Sequence, residues 1–156
     1  EITYYGFTVD NCKRPSEQVR AFTDACVQAV ELLGREGADL LVVGNDASDC
    51  FPEPLRPYTK RTRFGSGGIL VNFLVNYDWQ WDLSHIREDG RPFSAEVSRI
   101  DLIIRWGGMR RLSGLLPIQS VYADFYVEEK LWPDFAEPDL LRALEWYGRQ
   151  DITLGG

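Results

Sequence analysis

The run Arg105-Trp106-Gly107-Gly108-Met109-Arg110-Arg111-Leu112-Ser113-Gly114 gathers three arginines, three glycines and a hydroxyl directly after the apolar residues Leu102-Ile103-Ile104. Glycine lets backbone N–H groups come close to an anion. A guanidinium binds phosphate oxygens through paired N–H donors and stays charged at any working pH. The chemistry is that of a phosphate cradle. A solvated basic turn is the competing reading; it fits less well because Arg105 closes an apolar strand, where a charge needs a partner.

Regular elements must hold these groups in place. β-branched and aromatic residues over 2–9 predict a buried strand, and Asp10 to Ser16 reads as a polar loop ending in a helix N-cap, with Pro15 just before it. Val19, Phe22, Cys26, Val30 and Leu33 then recur at helical spacing, and Gly34 and Gly37 supply the stop. Leu40 to Gly44 is a continuous apolar run suited to a strand covered on both faces. Pro52, Pro54 and Pro57 limit regular structure between Asn45 and Gly68. Ile69–Val75, Asp101–Arg105 and Val121–Val127 read as three further strands. Strands alternating with helical segments predict an α/β fold, a mostly parallel central sheet with helices on both faces. Such sheets take ligands at the carboxyl ends of their strands, where the loops here begin at Asp10, Asn45, Asn76 and Trp106.

Composition narrows the ligand. The 156 residues have the size of one domain, and 24 acidic against 17 basic residues give a formal charge of -7. That charge argues against nucleic acid or an anionic membrane as a general partner, so an anionic ligand needs a local basic pocket. Cys12, Cys26 and Cys50 are odd in number and lack Cys-x-x-Cys spacing. Neither a disulfide framework nor a zinc site is expected, and a reducing, cytoplasmic setting is the simpler reading. The single histidine, His85, lies in the charged stretch Asp82 to Asp89, which argues against His-rich metal sites and a Ser/His/Asp triad. No run reaches the roughly 18 apolar residues of a membrane span.

Three blocks at fixed spacing make the reading specific. Ile104-Arg105-Trp106-Gly107-Gly108 through Arg111-Leu112-Ser113, then Tyr122-Ala123-Asp124-Phe125-Tyr126, then Leu131-Trp132-Pro133-Asp134-Phe135, is similar to the hallmark run of the cis-prenyltransferases, the family that includes undecaprenyl diphosphate synthase. Gly6-Phe7-Thr8-Val9-Asp10-Asn11-Cys12-Lys13-Arg14-Pro15 resembles the family's A-F-S-x-E-N-W-x-R-P loop, and Asn76-Tyr77 the start of its N-Y-G-G-R stretch. The resemblance implies that isopentenyl diphosphate is held by Arg105, Arg111 and Ser113 in a cradle shaped by Gly107 and Gly108. It implies that Asp124 helps to hold Mg²⁺, and that Asn11 and Arg14 act near the diphosphates. Gly6, Phe7 and Thr8 fall in the loop and tunnel region, although Phe7 reads equally well as core. Without the resemblance, Asn11 is a loop hydrogen bonder and Arg14 a surface charge. The implied reaction joins isopentenyl diphosphate to an allylic prenyl diphosphate in a homodimer, with peripheral membrane contact through the product.

The pattern is not complete. The family's Asp-Gly-Asn loop, which binds the allylic diphosphate, is absent from these residues, and the opening Glu1-Ile2-Thr3 enters a strand-like run with no turn before it. We therefore expect residues 1–156 to be one prenyltransferase domain lacking its first strand, phosphate loop and helix. Thr153-Leu154-Gly155-Gly156 stands where the family often has Arg-x-Gly, Asp124 replaces a glutamate, Cys12 a tryptophan and Met109 a common glutamate. The alternatives are a non-catalytic subunit of a heteromeric enzyme, an irregular prenyl-coupling synthase of the same fold, and an unrelated α/β anion-binding protein.

Overall fold

A computed structural model of the chain describes residues 1–65 and 68–151; the tail Thr153–Gly156 lies outside the described residues. The chain forms two compact units, Glu1–Val97 and Ser98–Gly156. In the first unit, β1 (Ile2–Thr8), β2 (Asp39–Val43) and β3 (Leu70–Tyr77) form a parallel sheet in the order β1-β3-β2. Parallel neighbours need a crossover, and α1 (Ser16–Arg35) supplies one between β1 and β2. It turns Cys26 and Val30 into a core with Phe7, Leu40, Val42, Phe73 and Val75. β2 is buried throughout, as its unbroken apolar run requires.

The ends of α1 differ slightly from expectation. Pro15, extended at φ -52° and ψ 141°, occupies the cap, and Ser16 is already helical. Proline suits that edge because its missing N–H has no partner to lose. Past the helix, Gly37 takes φ +82°, the left-handed value a glycine stop uses. Gly44, which follows β2, is fixed by close approach: a Cβ there would stand 1.7 Å from the Val75 carbonyl oxygen.

After β3 comes α2 (Trp79–Ser84), where Asp78 caps the Gln80 N–H, and then a 3-10 turn at Phe93–Glu96. Asp82 is not part of a solvated charged stretch. It is buried, accepting hydrogen bonds from the Tyr77 hydroxyl at 3.1 Å and the Ser94 N–H at 3.0 Å. Burial, and next the Asp82 charge, push the Tyr77 phenol above its ordinary range.

In the second unit, β4 (Leu102–Trp106) and β5 (Asp124–Glu128) pair in parallel, and α3 (Glu137–Tyr147) follows. β5 begins three residues later than the sequence suggests. Ser120 Oγ donates to the Leu115 and Leu116 carbonyls, and Ala123 N–H to Ser120, so Val121 and Tyr122 sit in an exposed turn. The α/β class and parallel pairing stand. Backbone hydrogen bonds join three of them in one sheet and two in another. Periodicity identifies a strand and not its neighbour. Among the described residues no helix is long and apolar enough to cross a membrane.

Candidate functional site

At the carboxyl end of β4 the chain folds back on β5. Gly107 and Gly108 adopt φ +79° and +67°, and their N–H groups donate to the Lys130 carbonyl at 2.8 Å and the Glu128 carbonyl at 3.1 Å. Those N–H groups, expected to face an anion, are therefore engaged. The glycines contribute the turn, and the side chains beyond it form the cradle.

Arg105, Met109, Arg111 and Ser113 come together there. Arg105 Nη2 lies 3.4 Å from Ser113 Oγ and 3.6 Å from Met109 Sδ, and Arg111 Nη2 donates to the same sulfur at 3.1 Å. Arg105 Nε is buried with no hydrogen-bond partner among the described residues. No carboxylate of the described residues lies within ion-pair distance of either guanidinium. The third arginine differs in having an ionic partner: Arg110, exposed as Arg111 is, faces Glu129 at 3.5 Å. Arg105 thus closes an apolar strand with only neutral partners, the arrangement of a charge awaiting an anion and not of a structural ion pair.

Asp124 is placed elsewhere. It pairs with Leu102 and Arg105 with Val127, so strand alternation sets the two side chains on opposite faces of the β4–β5 pair. Among the described residues no three His, Cys, Asp or Glu side chains could hold a metal ion. The residues present do not by themselves form a Mg²⁺ site. Trp106, on Asp124's face, packs in an aromatic cluster with Trp132 and Phe135, with ring centroids 5.5 and 5.3 Å away.

In the first unit, Asn11 lies in the 3-10 turn Val9–Lys13 after β1, and its Oδ1 accepts from the Thr8 N–H at 2.7 Å and the Thr8 hydroxyl at 2.9 Å. Arg14 is exposed, with its guanidinium 5.5 Å above the Phe22 ring. Phe7 is fully buried in the core. Beside Gly6 a Cβ would meet the Tyr4 ring at 2.7 Å and Cys26 Sγ at 3.2 Å, so that space is already filled.

Two features escaped the sequence reading. Cys12 and Cys50 form a disulfide, which overturns the expectation that the cysteines stay reduced. They follow β1 and β2 respectively, so both lie at the carboxyl edge of one sheet, a proximity that only the topology reveals. Between them Asn76, buried and at φ +51°, lies with Oδ1 3.2 Å from Cys12 Sγ and donates from Nδ2 to the Asn45 carbonyl at 2.9 Å. Cys26 remains a free thiol, pushed up to about 11 by burial. The second feature is the position of the Met109 sulfur between Arg105 and Arg111, which the residue's place in the run does not disclose.

The parallel sheets define an α/β protein, with two arginines that meet no carboxylate among the described residues brought together at a strand's carboxyl end. A family model for undecaprenyl diphosphate synthases matches residues 1–155. The chain is 32% identical over 168 residues to a tritrans,polycis-undecaprenyl-diphosphate synthase (geranylgeranyl-diphosphate specific) of Aeropyrum pernix, covering 99% of this chain and 76% of that one. It is 28% identical over 182 residues to the ditrans,polycis-undecaprenyl-diphosphate synthase ((2E,6E)-farnesyl-diphosphate specific) of Escherichia coli, covering 99% and 72%. The crystal structure of lavandulyl diphosphate synthase from Lavandula x intermedia, in complex with dimethylallyl diphosphate, has a similar fold: TM-score 0.77, 21% identity, with 99% and 79% of the two chains covered. The chain belongs to the undecaprenyl diphosphate synthase family, prenyltransferases of the cis type.

Proposed function

We propose that the protein condenses isopentenyl diphosphate with an allylic prenyl diphosphate to give a cis-prenyl product. The observation that carries this is the meeting of Arg105, Arg111 and Ser113 with no carboxylate among the described residues to neutralise them. In this reading the two guanidiniums bind the diphosphate oxygens of isopentenyl diphosphate, and Ser113 adds a hydroxyl. The bound double bond attacks the allylic carbon as that carbon's diphosphate departs, and a proton is then lost from the isopentenyl unit. Holding the reactants and stabilising charge dominate such a step, which suits a site rich in arginine and poor in histidine. The retained arginines weigh against a non-catalytic subunit.

Mg²⁺, when bound, would neutralise diphosphate charge, as a hard cation that takes most of its ligands from phosphate and water. The strand register makes Asp124 a candidate ligand only for a site away from the arginine face of its own β4–β5 pair. A second copy of the chain would be one such site, and we propose a homodimer on the family resemblance. The resemblance also supports roles for Asn11 and Arg14 near the reacting diphosphates, although Asn11 has a local partner in Thr8. The family match over 1–155 supports reading residues 1–156 as one prenyltransferase domain. A cytoplasmic setting, with membrane contact through the product, rests on the resemblance alone, since the Cys12–Cys50 bond withdraws the argument from cysteine count.

The test is incubation with Mg²⁺, radiolabelled isopentenyl diphosphate and farnesyl, geranylgeranyl or dimethylallyl diphosphate in turn. An organic-soluble labelled product is expected with at least one of them. None with any of them would refute prenyl transfer by this chain.

A further inference from the structure

Arg105 and Arg111 both turn an Nη2 toward the sulfur of Met109, at 3.6 and 3.1 Å. Two like charges brought to one atom repel each other unless an anion or a good acceptor lies between them. A thioether is a weak acceptor and carries no charge. It can occupy the gap between two guanidiniums, yet a phosphate oxygen would displace it readily. A carboxylate at the same place would pair with the guanidiniums, cancel one positive charge and face an incoming diphosphate as a like charge. The carboxylate beside the glycine turn, that of Glu129, faces Arg110. The Arg105 Nε, buried and unpaired among the described residues, leaves one more donor uncommitted.

We propose that Met109 sets the charge of the cradle: as a neutral spacer between Arg105 and Arg111 it leaves both guanidiniums free to bind a diphosphate that carries no metal ion. This rests on the diphosphate reading above and adds to it a metal-independent binding mode and the residue that determines it. Met109 is a positioning residue here, acting through the two arginines. Its own place follows from the glycine turn, which is pinned to β5 by the Gly107 and Gly108 N–H groups. Substitution at 109 should therefore change the charge of the cradle and leave the turn intact.

Calorimetric titration of the whole chain with inorganic pyrophosphate, once in EDTA and once in excess Mg²⁺, tests this. The unaltered chain is expected to bind in EDTA. Met109→Glu should weaken that binding about tenfold or more, with Mg²⁺ restoring most of it, because a bound cation would offset the added negative charge. Met109→Leu, neutral and of similar size, should stay within about threefold of the unaltered chain. In turnover, where Mg²⁺ is present, Met109→Glu should raise the KM for isopentenyl diphosphate by less than it weakens binding in EDTA, whereas a folding defect would lower the active fraction equally in both buffers. Equal affinity of Met109→Glu and the unaltered chain in EDTA would overturn the proposal, as would a tenfold loss in Met109→Leu. Binding by the unaltered chain only in Mg²⁺ would overturn it and leave the diphosphate reading standing. Binding in neither buffer would remove both.

Discussion

The carboxyl end of the three-stranded sheet and the carboxyl end of β4 handle their polar groups in opposite ways. At the first, the groups satisfy one another: Asn11 accepts twice from Thr8, Asn76 donates to the Asn45 carbonyl, and Cys12 is bonded to Cys50. At the second, among the described residues, Arg105 and Arg111 meet only a hydroxyl and a thioether, and a guanidinium nitrogen is buried without a partner. Local self-consistency marks a scaffold, and its breach marks a place where a ligand completes the structure. The difference separates groups of the first unit that satisfy one another from arginines of the second that the proposed function assigns to substrate.

Breaking the scaffold should have the largest effects. Gly44→Ala places a Cβ 1.7 Å from the Val75 carbonyl oxygen, so β2 and β3 cannot keep their pairing. A loss above about 4 kcal/mol is expected, seen as failure to show a cooperative urea transition. A normal transition would mean that the backbone yields at little cost. Opening the disulfide comes next. Cys12 and Cys50 lie 38 residues apart, and the loop-entropy relation puts the loss for the Cys12→Ser, Cys50→Ser pair at about 4 kcal/mol. Equal melting temperatures for that double variant and the unaltered chain would count against the bond.

The comparison is sharpest at single side chains. Arg111→Ala removes a charge with no ion-pair partner among the described residues, so pyrophosphate affinity should fall by about 2 kcal/mol, roughly thirtyfold, while the urea midpoint stays put. Asn11→Ala should do the reverse to stability, costing about 1 kcal/mol through the hydrogen bonds lost from Thr8. A drop in urea midpoint for Arg111→Ala as large as that for Asn11→Ala would erase the distinction between the two regions.

How much of this the sequence disclosed follows the same line. Local signals identified the strands, α1 with its glycine stop, and the run that brings Arg105, Arg111 and Ser113 together, because apolar periodicity and residue chemistry are local. What depended on pairing was hidden. The division into two sheets, the Cys12–Cys50 bond and the burial of Asp82 beneath Tyr77 and Ser94 are set by contacts between distant segments. The roles of Gly107 and Gly108 were misjudged for a related reason. Their residue type suits an anion nest, and only the position of the β5 carbonyls shows their donors to be occupied. Asp124 shows the limit most plainly, since its place in a motif says nothing of the face on which its strand presents it.

A pH-dependent effect is expected from charges of the second unit that are already paired. Asp139 is buried at the start of α3, where Lys130 Nζ donates to it at 2.7 Å, Arg142 joins from the next turn, and the Ala136 N–H donates at 2.9 Å. Lys130 first, and then Arg142, hold its carboxyl down at about 2 against the opposing effect of burial. A carboxyl depressed on folding contributes stability that is fully present above its unfolded value of about 4 and is lost as pH falls through the folded one. The stability difference between the unaltered chain and Asp139→Asn should therefore be constant above about pH 5 and shrink between about pH 4 and 2. Arg111→Ala, which removes no such pairing, should show no acid-dependent difference of this kind. A difference for Asp139→Asn that stays flat to about pH 2 would mean that the carboxylate is not held by Lys130 and Arg142 in solution.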